Sequence, residues 1–96
     1  MLSIVIRSFG SQETQAIYEG KPSRRFGNIQ RIIERKLQML DDAVALQDLL
    51  APPGNRLEAL KGDRKGQHSI RINDQYRICF RWSPQGPEHV EVTDYH

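Results

Sequence analysis

The sequence predicts an α+β fold, in which an antiparallel sheet of four to five strands packs its apolar face against two N-terminal helices. Two patterns indicate this class. Apolar residues recur every three or four positions between residues 26 and 40, which is the period of a helix with one buried face. Apolar and polar residues alternate between residues 68 and 82, which is the period of a strand. The 96 residues are expected to form one domain, residues 1–96.

The first elements are expected to be a strand and a short helix. Residues 2–9 contain Ile4, Val5 and Ile6 and predict a first strand. Ser11 is a suitable N-cap for a short helix, and Gly20 is expected to end it.

The longest helix is expected to begin at Pro22 and Ser23 and to run to about Asp41. Its buried stripe is formed by Phe26, Ile29, Ile32, Ile33, Leu37 and Leu40. A short helical continuation is expected over residues 42–50. Two consecutive prolines then predict a loop over residues 51–55.

The second half is expected to form the rest of the sheet. Residues 56–60 predict a short strand, and the glycine-bounded residues 61–66 predict a turn. Strands are expected over residues 68–73 and 76–82, and Val90 with Val92 indicates a last strand. Alternation places Arg71, Arg77 and Arg81 on the sheet face opposite the core. Neighbouring like charges cost stability, so this face is expected to bind an anion.

Composition excludes several classes of site. Cys79 is the only cysteine, which excludes an internal disulfide, and the three histidines lack the spacing of a metal site. We therefore expect no metal and no cofactor. Neither a signal peptide nor a membrane-spanning run is visible, so a soluble cytoplasmic protein is expected.

The net charge is only +2, but the cations are concentrated in two stretches of the sequence. This distribution suits a nucleic-acid partner, and a solvated surface of mixed charge is the alternative.

RNA cleavage without a metal requires a base, an acid and cations near the scissile phosphate. The candidate cations are Lys61, Arg64, Arg71 and Arg77. The candidate proton-transfer groups are Glu58, His68, Asp94, Tyr95 and His96, of which His68 is interpreted as structural. Tyr95 could also stack on an RNA base. From these residues alone, a frayed terminus is the favoured interpretation of the last residues.

Residues 57–80 resemble the HigB toxins of the RelE/ParE superfamily. The resemblance is carried by the L-K-G-D-x-x-G turn at residues 60–66, the Y-R-I-x-F strand at residues 76–80 and the final Asp94-Tyr95-His96. It extends to the helical first half. It implies a RelE/ParE-like fold and an endoribonuclease that cleaves messenger RNA in the decoding site of the 30S ribosomal subunit, the A site. It also implies a helix-turn-helix antitoxin partner of the HigA type.

The resemblance also implies roles for individual residues. Arg77 would contact the scissile phosphate, and Asp94, Tyr95 and His96 would form the C-terminal part of the active site. Basic residues would dock on ribosomal RNA, namely Arg24, Arg25, Arg31, Lys61, Arg64, Lys65 and Arg71.

One departure from the family pattern concerns Glu58. Some members have L-H-P-L-K-G-D where this chain has Glu58 and Ala59 in place of the histidine and proline. A glutamate can still serve as a general base. Two alternatives stay open: a ParE-like toxin that binds gyrase and cuts nothing, and a weakened relative that acts mainly with its antitoxin in operon regulation.

Overall fold

The computed structural model describes residues 5–94. Tyr95 and His96, for which the sequence predicts catalytic roles, lie outside the described residues. The helices are α1 (Gln12–Tyr18) and α2 (Gln30–Asp42), and the strands are β1 (Glu58–Ala59), β2 (His68–Arg71), β3 (Tyr76–Ser83) and β4 (Gly86–Asp94). The strands form one antiparallel sheet in the order β1-β2-β3-β4. The predicted α+β class is confirmed.

Helix α1 has the ends that its sequence predicts. The Ser11 hydroxyl accepts a hydrogen bond from the backbone N–H of Thr14 at 3.2 Å, which satisfies one of the unpaired donors of the first turn. Gly20 follows the helix with a φ of +89°, a conformation that glycine adopts without steric cost.

Helix α2 is shorter than predicted, because it begins at Gln30 and not at Pro22 and Ser23. The Ser23 hydroxyl accepts a hydrogen bond from the N–H of Phe26, which closes a local turn. The Gln30 side chain reaches back, accepting from the N–H of Ser23 at 2.9 Å and donating to the carbonyl of Lys21 at 2.8 Å. These bonds tie the segment before the helix to Gln30, the first residue of α2. A 3₁₀ turn, Gly27–Ile29, leads into α2.

The core lies between the helices and one face of the sheet. Ile33, Leu37 and Leu40 of α2 are fully or almost fully buried, and so are Ile70, Ile78 and Phe80 of the sheet. Phe26 is also buried, and its ring packs edge-on against Tyr76 with 5.1 Å between the ring centroids.

The helical continuation that the sequence predicts after α2 is a 3₁₀ helix, Leu46–Leu50. Within residues 5–94, no helix has the length and apolar character needed to cross a membrane.

The described part of the predicted first strand runs parallel to β4. Gly10 N–H donates to the carbonyl of Val90 at 2.8 Å, and Val90 N–H donates to the carbonyl of Ser8 at 3.1 Å. The pairing amounts to one isolated bridge, Phe9 with Val90. The segment therefore extends the sheet at β4 but adds no regular strand within the described residues.

Candidate functional site

The sheet face opposite the helices, here called the open face, is defined by the strand register. Residues paired directly across neighbouring strands project from the same side. One cross-strand row consists of Glu58, Ser69, Cys79 and Glu91, and the next consists of Arg71, Arg77 and Thr93. Arg71 and Arg77 therefore lie directly opposite each other, as the alternation predicts.

The guanidinium of Arg77 donates to oxygens of Ser69 and Arg56, including a longer bond of 3.5 Å from Nη2 to the Ser69 carbonyl. Its Nε donates to the hydroxyl of Ser69 at 2.7 Å, and its Nη2 donates to the carbonyl of Arg56 at 2.6 Å. Ser69 is fully buried, whereas Arg77 is only half-buried. The Ser69 hydroxyl is therefore a fixed acceptor beneath the guanidinium of Arg77, which still reaches solvent.

The first cleft on the open face lies around these arginines. It has a volume of about 380 Å³ and is lined by Arg56, Glu58, Arg71, Asn73, Asp74 and Arg77. Arg71 forms an ion pair with Asp74, whose side chain is fully exposed. Glu58 is exposed and lies opposite Ser69. The cleft therefore brings three arginines together with one carboxylate that is a candidate base.

The second cleft lies over the other part of the open face. It has a volume of about 490 Å³ and is lined by Leu60, Lys61, Asp63, Arg64, Cys79, Thr93 and Asp94. Arg64 is fixed by Glu91 at 3.0 Å and by Gln67 at 3.0 Å. Lys61 and Lys65 are exposed on either side of the 3₁₀ turn Gly62–Arg64. Since Thr93 is paired with Arg77, the two clefts meet at that row.

Asp94 is the last described residue and ends β4. It pairs with Tyr76, so its side chain alternates away from the row of Arg77. Gln75 Nε2 donates to Asp94 Oδ2 at 3.1 Å and to the Tyr76 hydroxyl at 3.2 Å. The roles predicted for Asp94, Tyr95 and His96 remain predictions.

The three basic residues predicted for RNA docking in the first half are all exposed. Arg25 pairs with Glu13 at 3.5 Å, and its guanidinium lies 4.8 Å from the centroid of the Phe26 ring. Since Phe26 contacts Tyr76, Arg25 lies near the end of the sheet where Asp94 is found. Arg24 precedes it, and Arg31 is in the first turn of α2.

Two further residues singled out in the sequence lie apart from the arginine row. Arg81 is exposed and extends over the turn at Gly66, so close that a Cβ on that glycine would lie 3.0 Å from Nη1. His68 is on the helix side of the sheet, opposite Ala59 and Phe80, and stacks on Phe80 with 6.3 Å between the ring centroids. Its Nδ1 is buried and has no hydrogen-bond partner in the described part of the chain.

Within residues 5–94, no group of three histidine, cysteine or carboxylate side chains could hold a metal ion.

Sequence reasoning missed the contribution of Ser69 and Arg56. Alternation does place Ser69 on the same face as Arg71, which was a usable signal. The contact between Arg77 and the carbonyl of Arg56 joins residues 21 positions apart and leaves no local trace in the sequence.

Comparisons with known proteins agree with this architecture. A family profile described as the RelE-like toxin of the type II toxin–antitoxin system HigB matches residues 8–96. Toxin HigB-1 of Vibrio cholerae serotype O1 is 43% identical over 76 residues, which are 77% of this chain and 80% of that protein. An uncharacterized protein of Haemophilus influenzae is 36% identical over 55 residues, which are 57% of this chain and 54% of its own.

A solved structure, the YoeB-YefM complex from Staphylococcus aureus, has a chain with the same fold. The TM-score is 0.59 at 19% identity, covering 95% of this chain and 97% of that one. At this identity the likeness shows the fold alone. The family profile, however, spans nearly the whole sequence, and the Vibrio toxin matches most of it. The chain therefore belongs to the HigB-like toxins, the RelE-like toxins of type II toxin–antitoxin systems.

Proposed function

We propose that this toxin is a ribosome-dependent endoribonuclease that needs no metal or cofactor and cleaves messenger RNA in the decoding site of the 30S subunit. It would act in the cytoplasm and arrest translation. The observation that carries the proposal is the row formed by Arg71 and Arg77, which lines the first cleft on the open face.

The open face suits a phosphodiester. An arginine keeps its charge and offers several N–H donors in one plane, which matches the oxygens of a phosphate. Placed beside the scissile phosphate, Arg77 would stabilise the negative charge that develops when the 2′-hydroxyl attacks in line. Arg71, directly opposite, would bind the same or the next phosphate. An anion between them also relieves their mutual repulsion.

Proton transfer is proposed for Glu58 and for the ionisable residues of the C-terminal segment. Glu58 lies in the cleft of Arg71 and Arg77 and is a candidate for the base that removes the 2′-hydroxyl proton. Asp94 and His96 are candidates for the acid or the orienting group, and Tyr95 for stacking on a base. Glu58, Asp94 and His96 are not assigned to base or acid more narrowly than this.

The cations around the clefts are proposed to dock the toxin on ribosomal RNA. Lys61 and Arg64 line the second cleft, and Lys65 follows in the same turn. Arg24, Arg25 and Arg31 lie on the helical half. The partner that silences the toxin is proposed to be a helix-turn-helix antitoxin of the HigA type.

The test is cleavage of messenger RNA on programmed ribosomes by purified toxin in the presence of EDTA, with 3′ ends mapped by primer extension. Arg77→Ala is expected to reduce the cleavage rate by about 100- to 1,000-fold, the usual effect of removing a donor to a developing negative charge. Deletion of His96 is expected to reduce it as well. Arg7→Ala is the matched control, because Arg7 is an exposed arginine beside β4, at the opposite edge of the sheet from β1.

The outcomes separate the candidate functions. Cleavage in the decoding site that survives EDTA and disappears in Arg77→Ala supports the proposal. A folded, antitoxin-binding protein that leaves the messenger intact would overturn it and favour gyrase binding or a purely regulatory relative.

A further inference from the structure

We propose that Ser69 and Arg56 are positioning residues, which orient the guanidinium of Arg77 through one side-chain and one backbone oxygen. This inference rests on the proposed function, in which Arg77 contacts the scissile phosphate. It starts from the two shortest hydrogen bonds given for the Arg77 guanidinium, at 2.7 Å to the Ser69 hydroxyl and at 2.6 Å to the Arg56 carbonyl.

The Ser69 hydroxyl is a fixed acceptor. Ser69 lies within β2, paired on one side with Glu58 and on the other with Cys79, and its side chain is fully buried. A buried hydroxyl on a strand with partners on both sides has little freedom to move. It therefore defines the direction of the Arg77 Nε–H bond.

The Arg56 carbonyl is aimed by an unusual backbone conformation. Arg56 has a φ of +46° and a ψ of +54°, the left-handed region that residues with a side chain rarely adopt. Such conformations persist where the surrounding structure determines them, and they are concentrated at functional sites. Here the conformation follows the 3₁₀ turn Pro53–Asn55 and directs the carbonyl toward Arg77 Nη2.

Asn55 fixes that turn from the inside. Its side chain is fully buried, and its Nδ2 donates to the carbonyls of Leu49 and Ala51, each at 3.2 Å. Its Oδ1 accepts a hydrogen bond from Lys36 of α2. A chain of contacts thus runs from α2 through Asn55 and the Arg56 carbonyl to Arg77.

Orientation matters because an arginine stabilises a developing charge only when its donors already point at the phosphate oxygens. Misplacement by about 1 Å can lower a catalytic rate by about 100-fold. Ser69→Ala keeps the charge of Arg77 but removes one of its acceptors. We expect kcat to fall by about 10- to 100-fold while KM changes far less.

The experiment is a double-mutant cycle on programmed ribosomes, with single-turnover cleavage measured for the wild type, Ser69→Ala, Arg77→Ala and the double variant. If Ser69 acts through Arg77, Ser69→Ala has no further effect once Arg77 is alanine. Ser83→Ala is the matched control, since it also removes a serine hydrogen bond from the sheet, at 2.8 Å to the Gly86 carbonyl, but at the far end of β3.

A second readout does not depend on activity. In protein labelled with ¹⁵N-arginine, the Nε–H resonance of Arg77, identified by its disappearance in Arg77→Lys, is expected to shift and to exchange faster with solvent in Ser69→Ala. An unchanged resonance, or additive losses in the cycle, would overturn the positioning role. A wild type that cleaves nothing would overturn the proposed function instead, and the resonance would still decide whether Ser69 orients Arg77.

Discussion

Arg71 and Arg77 are direct cross-strand partners on β2 and β3, with both side chains on the open face of the sheet. Like charges in this arrangement repel each other and destabilise a sheet. Two arrangements offset the repulsion: Arg71 pairs with Asp74, and Arg77 donates to Ser69 and to the carbonyl of Arg56. Both guanidinium groups therefore lie on the open face, on the side of the sheet away from the apolar core.

Arg71→Gln is expected to weaken RNA binding with little change in the free energy of unfolding. Repulsion from Arg77 is lost together with the Asp74 pair, and because each contributes roughly 1 kcal/mol or less, the free energy of unfolding should change by less than about 1 kcal/mol. RNA affinity should fall, because one phosphate contact is removed. Urea unfolding and RNA binding measured on the same samples provide the check, with Arg7→Gln as the control. Unchanged RNA affinity would contradict the role of the pair.

The arginine pair illustrates what the sequence can predict. Strand alternation places Arg71 and Arg77 on one face, and the turn at residues 73–75 brings the two strands into register. Both inferences depend only on local pattern and on the two-residue period of a strand. The same reasoning correctly places the apolar stripe of α2 in the core.

Features that depend on contacts between distant residues were not predictable in this way. The sequence predicts too early a beginning for α2, because Pro22 and Ser23 match a helix start. In the structure, the Gln30 side chain instead bonds the backbone of residues 21 and 23. The left-handed Arg56 has no sequence signal, since glycine or asparagine is the usual residue there. Arg56 directly follows the 3₁₀ turn Pro53–Asn55, whose last residue, Asn55, is buried.

Asn55→Ala is expected to lower the free energy of unfolding by about 2–4 kcal/mol. The substitution removes the partner of Lys36 and the donor to two carbonyls, of which that of Leu49 is buried. An unsatisfied buried group costs about 1–3 kcal/mol, and the two other lost hydrogen bonds add to this. A lower urea midpoint with an unchanged slope would confirm this. Asn28→Ala, at an exposed asparagine in the turn before α2, is the control and should have little effect.

Tyr18 is expected to stabilise the fold up to high pH. Its hydroxyl donates to Asp41 Oδ2 at 2.6 Å, and this bond, followed by burial and the negative charge of Asp41, raises the pKa of Tyr18 to about 12. Because the pKa in the folded state lies above the unfolded value of 10.0, the contribution is fully present below pH 10 and is lost as the pH rises towards about 12.

The variant Tyr18→Phe tests the direction of this pH dependence of stability. The stability difference between wild type and variant should stay constant up to about pH 9, one unit below the unfolded pKa, and shrink above pH 10. An absorbance titration of the phenolate should show one late-titrating tyrosine that is missing from the variant. A difference that grows with pH in this range would contradict the assignment.

The turn at residues 61–65 is expected to contribute to the salt dependence of RNA binding. Lys61 and Lys65 are exposed on either side of the 3₁₀ turn, whereas Arg64 is fixed by Glu91 and Gln67. For single-stranded RNA, each neutralised phosphate adds about 0.7 to the slope of log affinity against log salt. If Lys65 contacts a phosphate, Lys65→Ala should reduce that slope by about 0.7 and weaken binding most at low salt.

Fluorescence anisotropy with a short labelled RNA at several salt concentrations measures this slope. Lys21→Ala is the matched control, because Lys21 is an exposed lysine after α1 that pairs with Glu19 at 3.3 Å. Glu91→Gln adds a second comparison, since it removes the charge that fixes Arg64 and leaves the backbone of β4 unchanged. If the slope is the same in wild type and Lys65→Ala, Lys65 does not contact phosphate, and docking must be assigned to the other cations proposed for it.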